Sequence, residues 1–230
     1  MSLMIRLFAI ACCVSALAGC GLFTTVVPAP GSPSRTELEQ LLGTVRTVDD
    51  RVRPGGYERG CKNGQACVFG PAWSDDTDAP GGHDGCDTRN NVLAQQLSGV
   101  RFRAGTGNCV VLEGTLADPY TGTTLAFRKA AGGQIEVDHV YPLAAAWDLG
   151  ASAWTPAQRR RFANDTRVNL LAVRAEVNQS KGDSTPAEWL PPARAYHCFY
   201  AGKYLTAATE YSLPITAADR ATLARVARRC

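Results

Sequence analysis

The residues best suited to chemistry lie in two short stretches. The first, QIEVDHVYPLAAAW at 134–147, is apolar and strand-like until it meets Asp138-His139. The second, VNLLAVRAEVNQSKGD at 168–183, brings Asn169, Asn178 and Lys181. The chain has only three histidines in 230 residues, and one sits in that Asp-His dyad. With an unperturbed pKa of about 6.5, histidine suits a general base at neutral pH. A single histidine after a strand is more often structural, so it is the dyad together with two spaced asparagines that marks a site. The other histidines stand apart. His83, in GGHDGC, reads as a solvated loop residue or a ligand of an accessory ion, and His197, beside Cys198, as packing or surface.

The elements that must position these residues follow from periodicity and turn chemistry. Leu38, Leu41, Leu42, Val45 and Val48 recur at helical spacing over 36–48, before a Pro54-Gly55-Gly56 break. Residues 55–86, rich in Gly, Asp and Pro, read as loop held by disulfides. Asp87 caps a predicted helix to about Leu97. CVVLEGTL and TTLAFR flank the turn ADPYTG and predict a hairpin over 109–127. A third strand is predicted at 134–140, a helix from the Thr155-Pro156-Ala157-Gln158 capping box, a strand at NLLAV, and a short helix from Ala175. Thr185-Pro186-Ala187-Glu188 is a second capping-box pattern, ended by Pro191-Pro192, and Thr216 opens a last helix burying Leu223 and Val226. Trp147, Trp154 and Trp189 read as core packing.

The N-terminus MSLMIRLFAIACCVSALAGC has one cation, Arg6, and an apolar run from Leu7 to Leu17 that is short for a membrane span. It reads as an export signal. Its end, Leu17-Ala18-Gly19-Cys20, resembles a bacterial lipobox, which implies cleavage before Cys20 and lipid on its sulfur; a plain secretion signal cut near Ala18, or an uncleaved anchor, remain alternatives. Residues 20–35 follow as a Pro- and Gly-rich tether reaching about 50 Å when extended. The folded unit is expected over 36–230. Cys12 and Cys13 leave with the signal, so Cys61, Cys67, Cys86, Cys109, Cys198 and Cys230 remain. An even number in an exported chain points to disulfides, with the pairing open and sequence proximity favouring 61–67, 86–109 and 198–230. The absence of any CxxC pair argues against a zinc knuckle. A net charge of +3 is too mild to identify a nucleic-acid binder by itself.

Taken together, CDTR (86–89), DPYTG (118–122), VDHV (137–140), FAND (162–165), NLLAV (169–173), NQSKGD (178–183) and WLPP (189–192) resemble the HNH, or His-Me finger, endonucleases. The wider run is similar to secreted actinobacterial members related to the C-terminal nuclease domain of GmrSD-type restriction enzymes. It spans most of 55–230. The resemblance implies an α+β fold around a ββα-metal finger at about 134–184, with added helices, a β-hairpin and disulfide bracing.

It also implies roles. His139 would deprotonate water, Asp138 and Asn178 would hold one divalent cation, and Asn169 would pin the loop carrying His139. Where the family name implies a third histidine, this chain has Asn178; an amide oxygen suits Mg²⁺, with Mn²⁺ or another ion as alternatives, better than zinc. Lys181 is a candidate phosphate contact or leaving-group stabiliser, or else a solvated helix residue. Arg89 either clamps a phosphate or forms an ion pair that locks its helix onto the finger. Arg159-Arg160-Arg161 is a candidate backbone contact or a solvated face. The implied function is a metal-dependent endonuclease of low sequence specificity, cutting DNA, with RNA as an alternative substrate, anchored by lipid at the membrane's outer face or secreted. The rival is a non-catalytic surface-binding lipoprotein on a decayed nuclease scaffold.

Overall fold

The computed structural model describes residues 26–230. The expected signal, the lipobox and Cys20 lie outside the described residues. In chain order the elements are α1 (Arg35–Thr44), β1 (Thr47–Val48), α2 (Thr88–Gln96), β2 (Leu97–Phe102), β3 (Val111–Ala117), β4 (Thr124–Arg128), β5 (Ile135–His139), α3 (Leu143–Asp148), α4 (Pro156–Ala163), β6 (Leu170–Arg174), α5 (Ala175–Lys181), α6 (His197–Glu210), β7 (Ile215–Thr216) and α7 (Ala217–Ala227). This is a mixed α and β fold braced by three disulfides, Cys61–Cys67, Cys86–Cys109 and Cys198–Cys230. Such bridges fit a chain that matures outside a reducing cytosol. No described helix is long and apolar enough to cross a membrane.

Local chemistry starts and stops the helices where the sequence directs. Asp87 accepts from the Asn90 amide at the head of α2. Thr155 and Gln158 cap one another at α4, with Pro156 in its first turn. Thr216 and Asp219 do the same at α7. The pattern at Thr185 behaves otherwise. Glu188 does accept from the Thr185 amide at 3.0 Å, but the chain closes only a turn there and no helix follows. Pro191 and Pro192 arrive too soon for a helix to propagate. The first helix also stops short of the expected span, at Thr44, because Val45 is already extended and 47–48 pair with β7.

β2 and α6 are among the elements that were not apparent from sequence. β2 adds to the predicted hairpin, giving an antiparallel sheet in the order β2-β3-β4, with bulged pairing between Ser98 and Phe102. The longest helix, α6, buries Tyr200, Ala201, Tyr204, Leu205, Ala207 and Ala208, and its N-terminus lacks a side-chain cap. Its Gly202 lets the N-terminal segment approach closely: a Cβ there would lie 2.7 Å from Pro33 Cγ. Ala29 is buried, and its amide bonds the Ala195 carbonyl at 2.8 Å. Residues 29–33, expected to be tether, are therefore docked on the body.

β5 and β6 form an antiparallel pair pairing Val137 with Ala172 and His139 with Leu170, and α5 follows β6 directly. This pair separates two hydrophobic cores. Ile135, Val137, Leu170 and Ala172 face α2 and the three-stranded sheet. Leu171 and Val173 face the larger core built from α1, α3, α4, α6 and α7. Being buried on both faces explains why NLLAV is continuously apolar. Burying a leucine or phenylalanine side chain stabilises by about 1.5–3 kcal/mol, so Leu38, Leu205 and Phe162, all fully buried, hold the helices to this wall.

Candidate active site

Alternation along β5 sends Glu136 and Asp138 to the α5 side and His139 to the other. At the strand end both members of the dyad line one cleft of about 460 Å³, with Asn178, Gln179, Gly182 and Asp183 from α5 and the turn after it, and Tyr57 and Arg59 from the N-terminal loop. Asp138, His139 and Asn178 thus come together. Gly182, at φ +55, ends α5 in a conformation that favours glycine and turns the chain at the cleft rim.

His139 is 6% exposed. Its Nε2 lies 2.8 Å from the carbonyl of Ala163, in the last turn of α4, where carbonyls lack intrahelical partners. A carbonyl only accepts, so Nε2 carries the proton and Nδ1 of the neutral ring keeps a lone pair. The ring stacks on Trp73, with centroids 5.6 Å apart and planes 9° apart. Burial, then the positive charges of Arg59 and Lys181, push its pKa down to about 3, against the Ala163 bond, which acts upward. The imidazole is therefore neutral throughout the physiological range.

Asp138 is buried and held at both oxygens. Lys181 Nζ donates to Oδ1 at 2.9 Å, and Tyr120 Oη donates to Oδ2 at 2.5 Å. Burial foremost, then the Asp138 charge, hold the Tyr120 phenol well above its usual pKa, so it stays a donor. The DPYTG turn supplies that phenol: Asp118 accepts from the amides of Tyr120, Thr121 and Arg174, tying the turn to β6. Asn178 Nδ2 donates to Glu136 Oε2 at 2.8 Å, leaving its Oδ1 without a protein partner among the described residues. Asn169 bridges the peptide of Tyr141, accepting from its amide at 2.8 Å and donating to its carbonyl at 3.2 Å, while the Asn169 carbonyl accepts from Val140. The segment after His139 is clamped to β6 by that single asparagine.

Several expectations need correction. Lys181 is neither solvated nor free to meet a phosphate: it is 1% exposed, and its ammonium bonds Asp138 and the His139 carbonyl. A flexible cation beside a buried carboxylate is drawn inward rather than outward. Arg89 does not line the cleft. It donates to the Ile135 carbonyl at 3.3 Å and lies over the Phe127 ring at 6.0 Å, locking α2 to β5 without an ion pair. Of the arginine run, Arg159 bonds the carbonyls of Val68 and Trp154 and covers Trp147, and Arg160 pairs with Asp76 at 3.4 Å. His83 is exposed, 3.7 Å from Asp78, and His197 bonds the Pro191 carbonyl. Tyr120, Trp73 and Arg59 were missed as site residues. Tyr120 stood inside a quoted motif, and an arginine just before a closely spaced cysteine pair was the available signal for Arg59.

The donors around Asp138 and Asn178 are a carboxylate and an amide oxygen. Among the described residues no cluster of three His, Cys, Asp or Glu side chains could hold a metal. A carboxylate has about four acceptor sites, of which Lys181 and Tyr120 take two. The set fits a hard, largely hydrated cation such as Mg²⁺, which keeps several waters, and not zinc.

A family model described as the C-terminal domain of GmrSD restriction endonucleases matches residues 87–226, and the chain belongs to that family. It is also 32% identical over 202 residues to an uncharacterized secreted protein of Arthroderma benhamiae, covering 87% of this chain and 88% of that protein. No solved structure matches.

Proposed function

We propose that the chain is an exported endonuclease that hydrolyses phosphodiester bonds of DNA with low sequence specificity, with RNA as an alternative substrate, using His139 as general base and one divalent cation. The observation that carries this reading is the convergence of a neutral, Nδ1-basic His139 with Asp138 and Asn178 on one cleft. The family membership and the antiparallel β5–β6 pair leading straight into α5 support a ββα-metal arrangement. Asp138 and Asn178 would hold Mg²⁺, which when bound would neutralise charge on the phosphate and the departing oxygen.

His139 Nδ1 takes a proton from water as that water attacks phosphorus; the P–O3′ bond breaks, the departing oxygen takes a proton from solvent water and His139 returns its proton to solvent, leaving a 5′-phosphate and a 3′-hydroxyl. A base with a pKa near 3 is weak in the empty cleft. A phosphodiester bound beside it brings negative charge that offsets Arg59 and raises the imidazole's basicity when it is needed. Ala163 fixes the tautomer, and Asn169 fixes the backbone that carries the ring. Export is supported by the three disulfides and the secreted relative, and the Cys20 lipid anchor by the lipobox resemblance.

The test is plasmid nicking by oxidised protein with Mg²⁺, Mn²⁺ or EDTA, beside a folded His139→Ala variant. Cation-dependent cleavage lost in the variant is the expected result. No cleavage by folded protein under any ion would favour a binding lipoprotein instead.

A further inference from the structure

We infer that Arg59 is the phosphate anchor of this cleft, delivered by the stem of a disulfide-closed turn that lies outside the family-matching region. The proposal rests on the nuclease reading and names the side chain that would grip the substrate's backbone. Lys181, the cation bonded to Asp138, is sealed beneath the site. Arg59 is exposed, lines the main cleft beside Asp138 and His139, and also lines the small adjoining hollow formed with Trp73, Ala163 and Asn164. Its guanidinium sits 5.9 Å over the Trp73 ring, the same ring that stacks on His139. Among the described residues the Arg59 side chain makes no ion pair or hydrogen bond, so its planar fork of donors is available to phosphate oxygens.

The loop that presents Arg59 is built. Val68 N bonds the Glu58 carbonyl, Cys67 N bonds the Gly60 carbonyl, and Cys61–Cys67 closes the turn between them. Phe69, 2% exposed, plugs the loop into the core against Trp147 and Phe162. Trp147 Nε1 donates to the Gly55 carbonyl, and Arg159 Nε to the Val68 carbonyl, pinning both ends. A loop held this way is already ordered before binding, which lowers the entropy lost when Arg59 engages a ligand. The family match begins at residue 87, so this half of the site comes from the chain's own N-terminal segment.

The experiment compares Arg59→Ala and Arg59→Lys in the oxidised protein, with two readouts. Cleavage of a short duplex with Mg²⁺ should show kcat/KM lower by about 10²-fold in Arg59→Ala, and partly restored in Arg59→Lys. Binding of the same duplex, measured in a His139→Ala background over a salt series, should lose about 0.9 from the slope of log affinity against log salt when Arg59 is also replaced by Ala. A merely structural arginine would not change that slope. An unchanged slope, or kcat/KM within about twofold of the parent, overturns the proposal. If the parent cleaves nothing, the nuclease reading falls while a reduced slope still upholds the phosphate anchor; absence of any duplex binding by the parent overturns both.

Discussion

Lys181 Nζ lies 2.9 Å from Asp138 Oδ1 and 2.9 Å from the His139 carbonyl oxygen, so one buried ammonium ties both members of the dyad to α5. Neither side chain has appreciable contact with water. Removing one partner of a buried pair leaves the other charge uncompensated, which costs about 3–5 kcal/mol. Lys181→Met should therefore destabilise the oxidised protein by about that amount in urea unfolding, whereas the double variant Lys181→Met/Asp138→Leu should recover much of the loss. A single variant as stable as the parent would show that the pair is not buried in solution.

Tyr120→Phe isolates the other restraint on Asp138. It keeps the ring packed against Trp189 and Tyr200 and deletes only the donor to Oδ2. A hydrogen bond to a charged acceptor contributes about 1.5–3 kcal/mol. The expected outcome is a stability loss in that range with cleavage reduced about tenfold or more, since Asp138 loses one of the two bonds that aim it. Unchanged cleavage would mean that Lys181 alone orients the carboxylate.

How much of this was legible in the sequence depends on the kind of signal. The dyad, the asparagines and the β5–β6–α5 order were readable because strand alternation and turn residues are local. α6 was not, because most of its girth is buried and Lys203, Thr206 and Glu210 mark only a narrow polar stripe. β2 was hidden by its bulge and half-exposed pattern. The inward turn of Lys181 was invisible too: nothing local distinguishes a lysine that faces water from one that finds a buried carboxylate. Arg59 and Trp73 reach His139 only through tertiary contacts across roughly a third of the chain, which no spacing rule records.

The neutral imidazole has a measurable consequence for stability. Burial and neighbouring cations depress the folded-state pKa of His139 to about 3, from an ordinary value of 6.5. Between those two values the unfolded chain binds a proton that the native chain refuses. Stability is thus fully present above about pH 6.5 and falls as pH drops toward 3, by an amount on the order of a few kcal/mol. His139→Gln, which cannot titrate there, should show a shallower decline of stability in urea unfolding between about pH 7 and 4. Parallel curves for parent and variant would mean that His139 is protonated in the folded protein.

The disulfides separate stability from positioning. Cys198–Cys230 spans 32 residues and ties α6 to the C-terminus, whereas Cys61–Cys67 spans only 6 and closes the Arg59 loop. Loop-closure entropy predicts a loss of about 4 kcal/mol when the first is replaced by alanines and about 2 kcal/mol for the second. Activity should run the other way. At a temperature where both variants are folded, the Cys198→Ala/Cys230→Ala protein keeps near-parental cleavage, because that bridge lies in the helical core behind the cleft. The Cys61→Ala/Cys67→Ala protein loses cleavage about tenfold or more, because Arg59 is no longer held over Trp73. Duplex cleavage by the two variants, each normalised to its folded fraction from near-ultraviolet circular dichroism, decides the matter. Equal activity in both would show that the core contacts of Phe69 and Gly55 suffice to position the loop without its disulfide.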